Sequence, residues 1–453
     1  MINAKYKKIG PIESADITVG DLTILCGPNN SGKTYVSYSL YGYLKMFDAL
    51  CRFSMKKSDK DAILENNFAS IDLRYYASRI GTVVSGSNRE FLTYLDTLFS
   101  VSEGTFKDTG IVVSSNSKIV VNDIEYDGKF SMSSTEEILV SKKKGSVGVS
   151  VTRINKNKEK GSGRVAVLML EHIILNMLIK DYFPRSFIMS SERVVASLFH
   201  KQLDKPKDGW IGGVGHERYY GFFRLGAADT NLAPYSWPVR DNLAFIQDVA
   251  NVTKRKSFLY TPEIMQIFQE ISGGKYDIIN DEVVYSVKGR KGDSSFTLPM
   301  HFASSSVKAL TILYYYIFYY AQKGDFLLID EPELNLHPDN QRKIARLLAL
   351  LVNHGIKVLI TTHSDYIVRE INNLIMIGAL KEDVKKKFVV ENGYREKELL
   401  NIESVKAYVF SGNSVKMIPG DTDYGFSIEP FDEVINKMNS VFDSISMLQD
   451  ESC

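Results

Sequence analysis

The octapeptide Gly27-Pro28-Asn29-Asn30-Ser31-Gly32-Lys33-Thr34 constrains this chain more than any other feature. It is an unbroken G-x-x-x-x-G-K-T. The apolar run Leu22–Cys26 leads into it, and apolar residues at helical spacing follow: Tyr35, Tyr38, Leu40, Tyr41, Leu44, Phe47 and Leu50. A buried strand, a glycine loop and a helix in that order place backbone amides and a helix N-terminus against an anion. The glycines permit the tight turn. Lys33 would set its charge on the β and γ phosphates of a nucleotide, and the Thr34 hydroxyl would ligate magnesium. A plain glycine-rich turn with an exposed lysine is the competing reading, and the flanking strand and helix argue against it.

Two further apolar strands end in reactive side chains. Phe326-Leu327-Leu328-Ile329 closes on Asp330-Glu331. Adjacent acids have no packing use in a buried strand, so they belong at its C-terminal edge. Asp330 is expected to hold magnesium, directly or through water, and Glu331 to orient or deprotonate an attacking water. Val358-Leu359-Ile360 runs into Thr361-Thr362-His363-Ser364, where the His363 imidazole would reach the γ phosphate. A lone histidine at a strand end is more often structural, but the order phosphate loop, acidic strand, histidine strand reverses that weighting.

Composition removes several function classes. The 453 residues carry a formal net charge of +1, which gives no bulk attraction to nucleic acid or to an anionic membrane. Cys26, Cys51 and Cys453 have no pairing or metal spacing, Cys26 reads as a small buried thiol, and a reducing cytoplasm is expected. The apolar stretch Ala309–Ala321 is too short to span about 30 Å of hydrocarbon and reads as a buried helix. The short lysine clusters, Lys142–Lys144 and Lys385–Lys387 among them, read as solvated faces, so nucleic-acid binding lacks support.

Periodicity predicts two strands within residues 2–19, polar helices over 54–100, antiparallel β structure over 110–155 and a helix over 165–179. A short strand covers 186–189. Residues 200–240 read as irregular, with helices at 243–252 and 261–271, and strands at 276–287 and 295–299. From residue 307 the pattern is α/β, with helices at 307–322, 338–353 and 364–373, and it ends in a hairpin over 406–419 and a helix over 431–447. No repeat or heptad run is present, which excludes a long coiled coil.

The three motifs, with Glu331-Pro332-Glu333-Leu334-Asn335-Leu336-His337-Pro338, resemble the ABC-type ATPases of the OLD-nuclease and SMC-like group. The likeness covers residues 1–50 and roughly 185–410. It implies an α/β P-loop NTPase of ABC-head type with an antiparallel β subdomain and a helical insertion lobe. It further implies ATP and Mg2+ held between two heads of a homodimer or higher homo-oligomer, with Asn335, Leu336 and His337 meeting the partner head. Lys33, Glu331 and His363 would be catalytic, and Thr34 and Asp330 would bind the metal. A serine element capping the γ phosphate from the other head falls at Ser304-Ser305-Ser306, just before a helix, where the family has glycine in place of Ser306. Ile271-Ser272-Gly273-Gly274-Lys275 reads instead as a glycine turn. Ser190-Ser191-Glu192-Arg193 resembles the segment near the ABC Q-loop without its glutamine, and Glu192 serves either the magnesium shell or a surface salt bridge.

The whole chain is thus expected to be one head. Residues 1–50 would hold the phosphate loop, 54–160 a mixed helical and β insertion, and 185–300 the Q-loop-like region and helical lobe. Residues 301–380 would carry the capping serines, the acids and the histidine, and 381–453 the terminal hairpin and helix. After the His363 strand, Glu391 and the Asp421–Asp423 pair supply the acid types of a metal-dependent nuclease domain of the OLD type, but they lie too close together for its sheet and intervening helices. Stand-alone ATPases of this pattern resemble the ATPase subunits of bacterial two-gene anti-phage and toxin–antitoxin modules, the PARIS ATPase subunit among them. That likeness implies a switch or scaffold controlling a separate nuclease- or toxin-like effector. The alternatives are a DNA-repair or chromosome-associated SMC-like ATPase and a soluble transporter ATPase.

Overall fold

The computed structural model describes residues 1–131, 136–155, 163–179, 182–199, 235–280, 282–287, 296–427 and 437–446. The strands, in chain order, are β1 (Ile2–Ile9), β2 (Ile12–Thr18), β3 (Leu22–Cys26), β4 (Phe68–Asp72), β5 (Gly110–Ser115), β6 (Tyr126–Ser131), β7 (Glu136–Lys142) and β8 (Gly148–Asn155). They continue with β9 (Ser186–Met189), β10 (Lys275–Ile279), β11 (Glu282–Val287), β12 (Phe296–Pro299), β13 (Phe326–Asp330), β14 (Lys357–Thr362), β15 (Val405–Ser411) and β16 (Ser414–Ile418). Nine of them form one sheet in the order β5-β1-β2-β16-β15-β3-β14-β13-β9.

Within that sheet β15, β3, β14, β13 and β9 run parallel. Their sequences explain why. Strands covered on both faces read as continuous apolar runs, and every residue of β3 and β13 is buried. Alternate residues enter two separate cores. Leu22, Ile24, Leu327, Ile329, Val358 and Ile360 face the helices Ser305–Tyr315, Pro338–Asn353 and Asp365–Ala379. Leu25, Phe326, Leu328 and Leu359 face the helix Lys33–Leu50. Each fully buried Leu or Ile contributes on the order of 2 kcal/mol, so the strand centres are well anchored.

The register aligns the strand ends. Thr361 lies opposite Asp330, Thr362 opposite Cys26, and Met189 opposite Ile329. Three loops that carry chemistry therefore leave the sheet at one edge, where ligand sites of parallel sheets form.

The α/β class is met, with an antiparallel β part (β4-β8-β7-β6) and a helical lobe flanked by the small sheet β10-β11-β12. Several sequence expectations need correction. The stretch read as uniformly helical contains β4, whose Ala69 and Ile71 alternate inward and pair with β8. The β-rich stretch 110–155 divides: β5 extends the main sheet against β1, whereas β6, β7 and β8 build the separate sheet.

A helix begins at Trp237 with Pro238 in its first turn, inside the stretch read as irregular, while 200–234 lie outside the described residues. The tyrosine-rich helix ends in a π-helical turn, Tyr316–Tyr320. The terminal hairpin is no appendage, because β15 lies parallel to β3 in the middle of the sheet. Lys142 is not solvated: it is buried, and its Nζ donates to the carbonyls of Ile124 and Ser146. The terminal helix is described only over 437–446.

Candidate nucleotide and active site

The glycine loop is shaped by close approach on both sides. Gly27 has φ +145°, and a Cβ there would stand 2.4 Å from the Phe410 carbonyl oxygen on β15. Gly32 has φ +99°, and its Cβ would meet Ile12 at 2.7 Å. Only glycine fits either position. The helix Lys33–Leu50 starts immediately after, so its free N–H groups and dipole face the loop.

Lys33 is buried. Its Nζ donates to the carbonyls of Gly27 (2.9 Å) and Pro28 (2.8 Å). Those carbonyls serve as acceptors where phosphate oxygens would otherwise receive the ammonium protons. Burial pulls the Lys33 pKa down, and the charges of Asp330 and Glu331 oppose that.

Asp330 is buried at the end of β13. Its Oδ1 accepts from the Thr361 hydroxyl, and its Oδ2 lies 3.5 Å from Thr34 Oγ1. Burial raises its pKa, the Thr361 hydrogen bond lowers it, and the nearby Glu331 and Glu192 carboxylates raise it further. A desolvated carboxylate beside a hydroxyl is a hard oxygen donor pair suited to magnesium. Among the described residues no group of three or more His, Cys, Asp and Glu forms a metal cage. Thr34 and Asp330 thus fit an ion whose remaining ligands are phosphate oxygens and water.

Glu331 adopts φ +51°, a left-handed conformation that costs a non-glycine residue about 1–2 kcal/mol. Its surroundings hold it there. Its N–H donates to the Thr361 carbonyl at 3.1 Å, and Arg193 Nη2 donates to the Glu331 carbonyl at 2.6 Å. Strain clamped on both sides of one residue marks a functional position.

Arg193 is buried and spends its donors on the carbonyls of Asp330, Ser190 and Ala309 as well. His363 Nε2 lies 3.8 Å from Glu331 Oε1. Burial first, then the Lys33 charge, push its pKa below the ordinary histidine value, which keeps the ring neutral at pH 7.

Gly27–Thr34, Asp330, Glu331 and His363 therefore come together from stretches hundreds of residues apart. Ser304 and Ser305 do not join them. Ser304 caps the helix Ser305–Tyr315 through the Val307 N–H, bonds Ser306 Oγ at 2.9 Å, and is exposed like Ser305. The glycine turn read at 271–275 ends a helix, with Gly273 at φ +73°. Of the two readings of Glu192, the geometry favours the site. The Tyr38 hydroxyl lies 3.4 Å from both Glu192 Oε2 and Asp330 Oδ2.

Sequence reasoning gave no role to Tyr38, Thr361, Glu333 or Arg193. Tyr38 is four residues after Thr34, on the same helix face. Thr361 faces Asp330 once parallel register is assumed. Either could have been found from spacing.

The family described as "AAA ATPase domain" matches residues 240–368, a stretch that holds Asp330, Glu331 and His363 but not the phosphate loop. No curated protein matches the chain. Among solved structures, the chain is similar to the SmcHead bound to the C-winged helix domain of ScpA, at 11% identity over 92% of this chain and 96% of that chain, with a TM-score of 0.35. It is also similar to the SMC head domain from Thermotoga maritima, at 11% identity over 92% and 98%, with a TM-score of 0.31. A third is the Smc head domain with an extended coiled coil bound to the C-terminal domain of ScpA derived from Pyrococcus furiosus, at 10% identity over 97% and 100%, with a TM-score of 0.31. No helix among the described residues is long and apolar enough to cross a membrane.

Proposed function

We propose that the chain hydrolyses MgATP between two copies of itself and uses the bound and hydrolysed states to control a separate effector protein. The observation that carries the chemical part is the meeting of the Gly27–Thr34 loop, the Asp330–Glu331 strand end and His363 at one edge of parallel strands.

In this reading the loop amides and Lys33 take the β and γ phosphates, and Thr34 and Asp330 hold the magnesium. The ion would supply charge neutralisation on the phosphate oxygens. Glu331 accepts a proton from water as the water oxygen bonds to the γ phosphorus and the bond to the β-bridging oxygen breaks. The left-handed backbone at Glu331 aims its carboxylate, and neutral His363 orients its near side. The pairing of copies is supported by the exposed serine element at 304–305, where the Ser304 hydroxyl bonds to Val307 and Ser306 of its own helix start. Those serines would cap the γ phosphate bound by the partner, and the Asn335–His337 loop would meet the same partner.

Control of an effector, as in anti-phage or toxin–antitoxin modules, extends the reading by likeness of motifs and needs a second polypeptide. The test is phosphate release from MgATP by the full chain, together with affinity purification of Glu331→Gln in ATP and mass spectrometry of what is retained. Magnesium-dependent release and one recurrent partner support the proposal. Release that rises only with DNA at physiological salt points to the SMC-like alternative, and no release at all refutes the ATPase reading.

A further inference from the structure

Glu333 is half-buried in the turn that links the Asp330–Glu331 acids to the Asn335–His337 loop, and the proposed hydrolysis gives its carboxylate no part. Its Oε1 accepts from the peptide N–H of His363 at 2.7 Å and from Thr362 Oγ1 at 2.9 Å. The Thr362 hydroxyl in turn accepts from the Ser364 N–H at 3.0 Å. The other oxygen, Oε2, is buried with no hydrogen-bond partner. A carboxylate with one oxygen fully engaged and the other buried without a partner is costly for stability alone, which argues for a role beyond packing.

The same turn is tied to β14 a second time. Gln341 Nε2 donates to the Leu336 carbonyl at 2.9 Å, and its Oε1 accepts from Ser364 Oγ at 2.6 Å. Residues 331–336 are braced internally by the Leu334 and Leu336 N–H groups, which donate to the Glu331 and Glu333 carbonyls. The His363 strand end and the turn from Glu331 to Leu336 are therefore bracketed into one unit.

We propose that Glu333 is a positioning residue for hydrolysis: as a hydrogen-bond acceptor, not as a charge, it fixes the His363 backbone so that the ring stays beside Glu331. Through the Gln341 bracket it also binds that placement to the loop Asn335–His337. The inference rests on the ATPase reading, which is tested separately by turnover of the unaltered chain.

Three substitutions decide it, each measured in the full-length chain for MgATP turnover, with folding checked by thermal melting and nucleotide binding by fluorescent ATP titration. Glu333→Ala removes the acceptor, and a misplaced His363 lowers kcat on the order of 100-fold. KM changes less than about threefold, because the phosphate loop is untouched. Glu333→Gln keeps the acceptor oxygen without the charge and restores kcat to within about threefold. Glu333→Asp keeps the charge on a shorter arm and behaves like Ala. Should Ala fail to fold, the Gln and Asp pair still decides. An active Asp variant beside an inactive Gln variant, or an Ala variant with normal kcat, overturns the proposal. Absent turnover in the unaltered chain instead refutes the ATPase reading on which it stands.

Discussion

The two edges of this molecule that bear on phosphate chemistry are built in opposite ways. At the strand-end edge each reactive group is held in place: Lys33 on the carbonyls of its own loop, Asp330 by Thr361, Glu331 by Thr361 and Arg193, and the His363 backbone by Glu333. At the serine edge, Ser304 bonds only within its own helix start, and Ser305 is exposed beside it. One edge is organised in advance; the other is a surface. Preorganised groups at a phosphoryl-transfer site act without reorganising, so the difference fits the proposal that one chain holds the base and metal donors while a second copy supplies the cap.

The largest expected effect breaks the organised edge. Glu331→Gln should lower turnover by about a thousandfold or more, because the proton acceptor is lost, while MgATP stays bound and traps paired chains seen in gel filtration. Lys33→Ala should abolish both binding and turnover. Normal turnover in Glu331→Gln would show that another group is the base.

The next effect tests the serine edge. Ser304→Glu places a negative charge where the partner's γ phosphate would sit, and turnover should fall on the order of 100-fold with single-chain ATP binding retained. Mixing it with Lys33→Ala chains should restore part of the activity, since one intact composite site can form. No restoration would mean that each chain works alone.

A smaller effect concerns stability. Burial raises the folded pKa of Asp330 above its unfolded value. The unfolded chain then binds fewer protons between the two values, so this group's contribution to stability falls as pH rises through that window and stays unfavourable above it. Asp330→Asn keeps the acceptor for Thr361 and removes the buried charge. It should stabilise the nucleotide-free fold by about 1 kcal/mol at pH 7, read as a Tm rise, while turnover is lost. An unchanged or lowered Tm would contradict the desolvation argument.

The smallest effect concerns the strand feeding the loop. Burial pushes the Cys26 thiol up to about 12, and its Sγ donates to the Tyr408 carbonyl. Alkylation of Cys26 by iodoacetamide at pH 8 should be negligible in the folded protein and rapid in denaturant. Ready labelling in the folded state would show that the loop and β15 separate.

Much of the organised edge was legible because its residues obey local rules: a glycine loop between strand and helix, and apolar runs of four or five residues that end in acids or histidine. What escaped reading is non-local. Phe68–Asp72 carries the alternation of a strand, but its pairing with β8 is set by residues some eighty positions away. The hairpin Val405–Ile418 could be read as a hairpin, yet its place beside β3 follows from the approach of Phe410 to Gly27. Lys142 sits in a run that looks solvated, and the carbonyls of Ile124, Lys143 and Ser146 draw it inward. Arg193 could be named from its motif, but its four carbonyl acceptors exist only in the folded chain.

The central claim is that the Gly27–Thr34 loop and Asp330 form one magnesium–nucleotide site. Isothermal titration of ATP into the Glu331→Gln chain, with magnesium and again with EDTA, tests it most directly. The account predicts saturable binding near one nucleotide per chain that depends on magnesium and vanishes when Lys33→Ala is added. Equal heats with and without magnesium, or no heat in either, would contradict it.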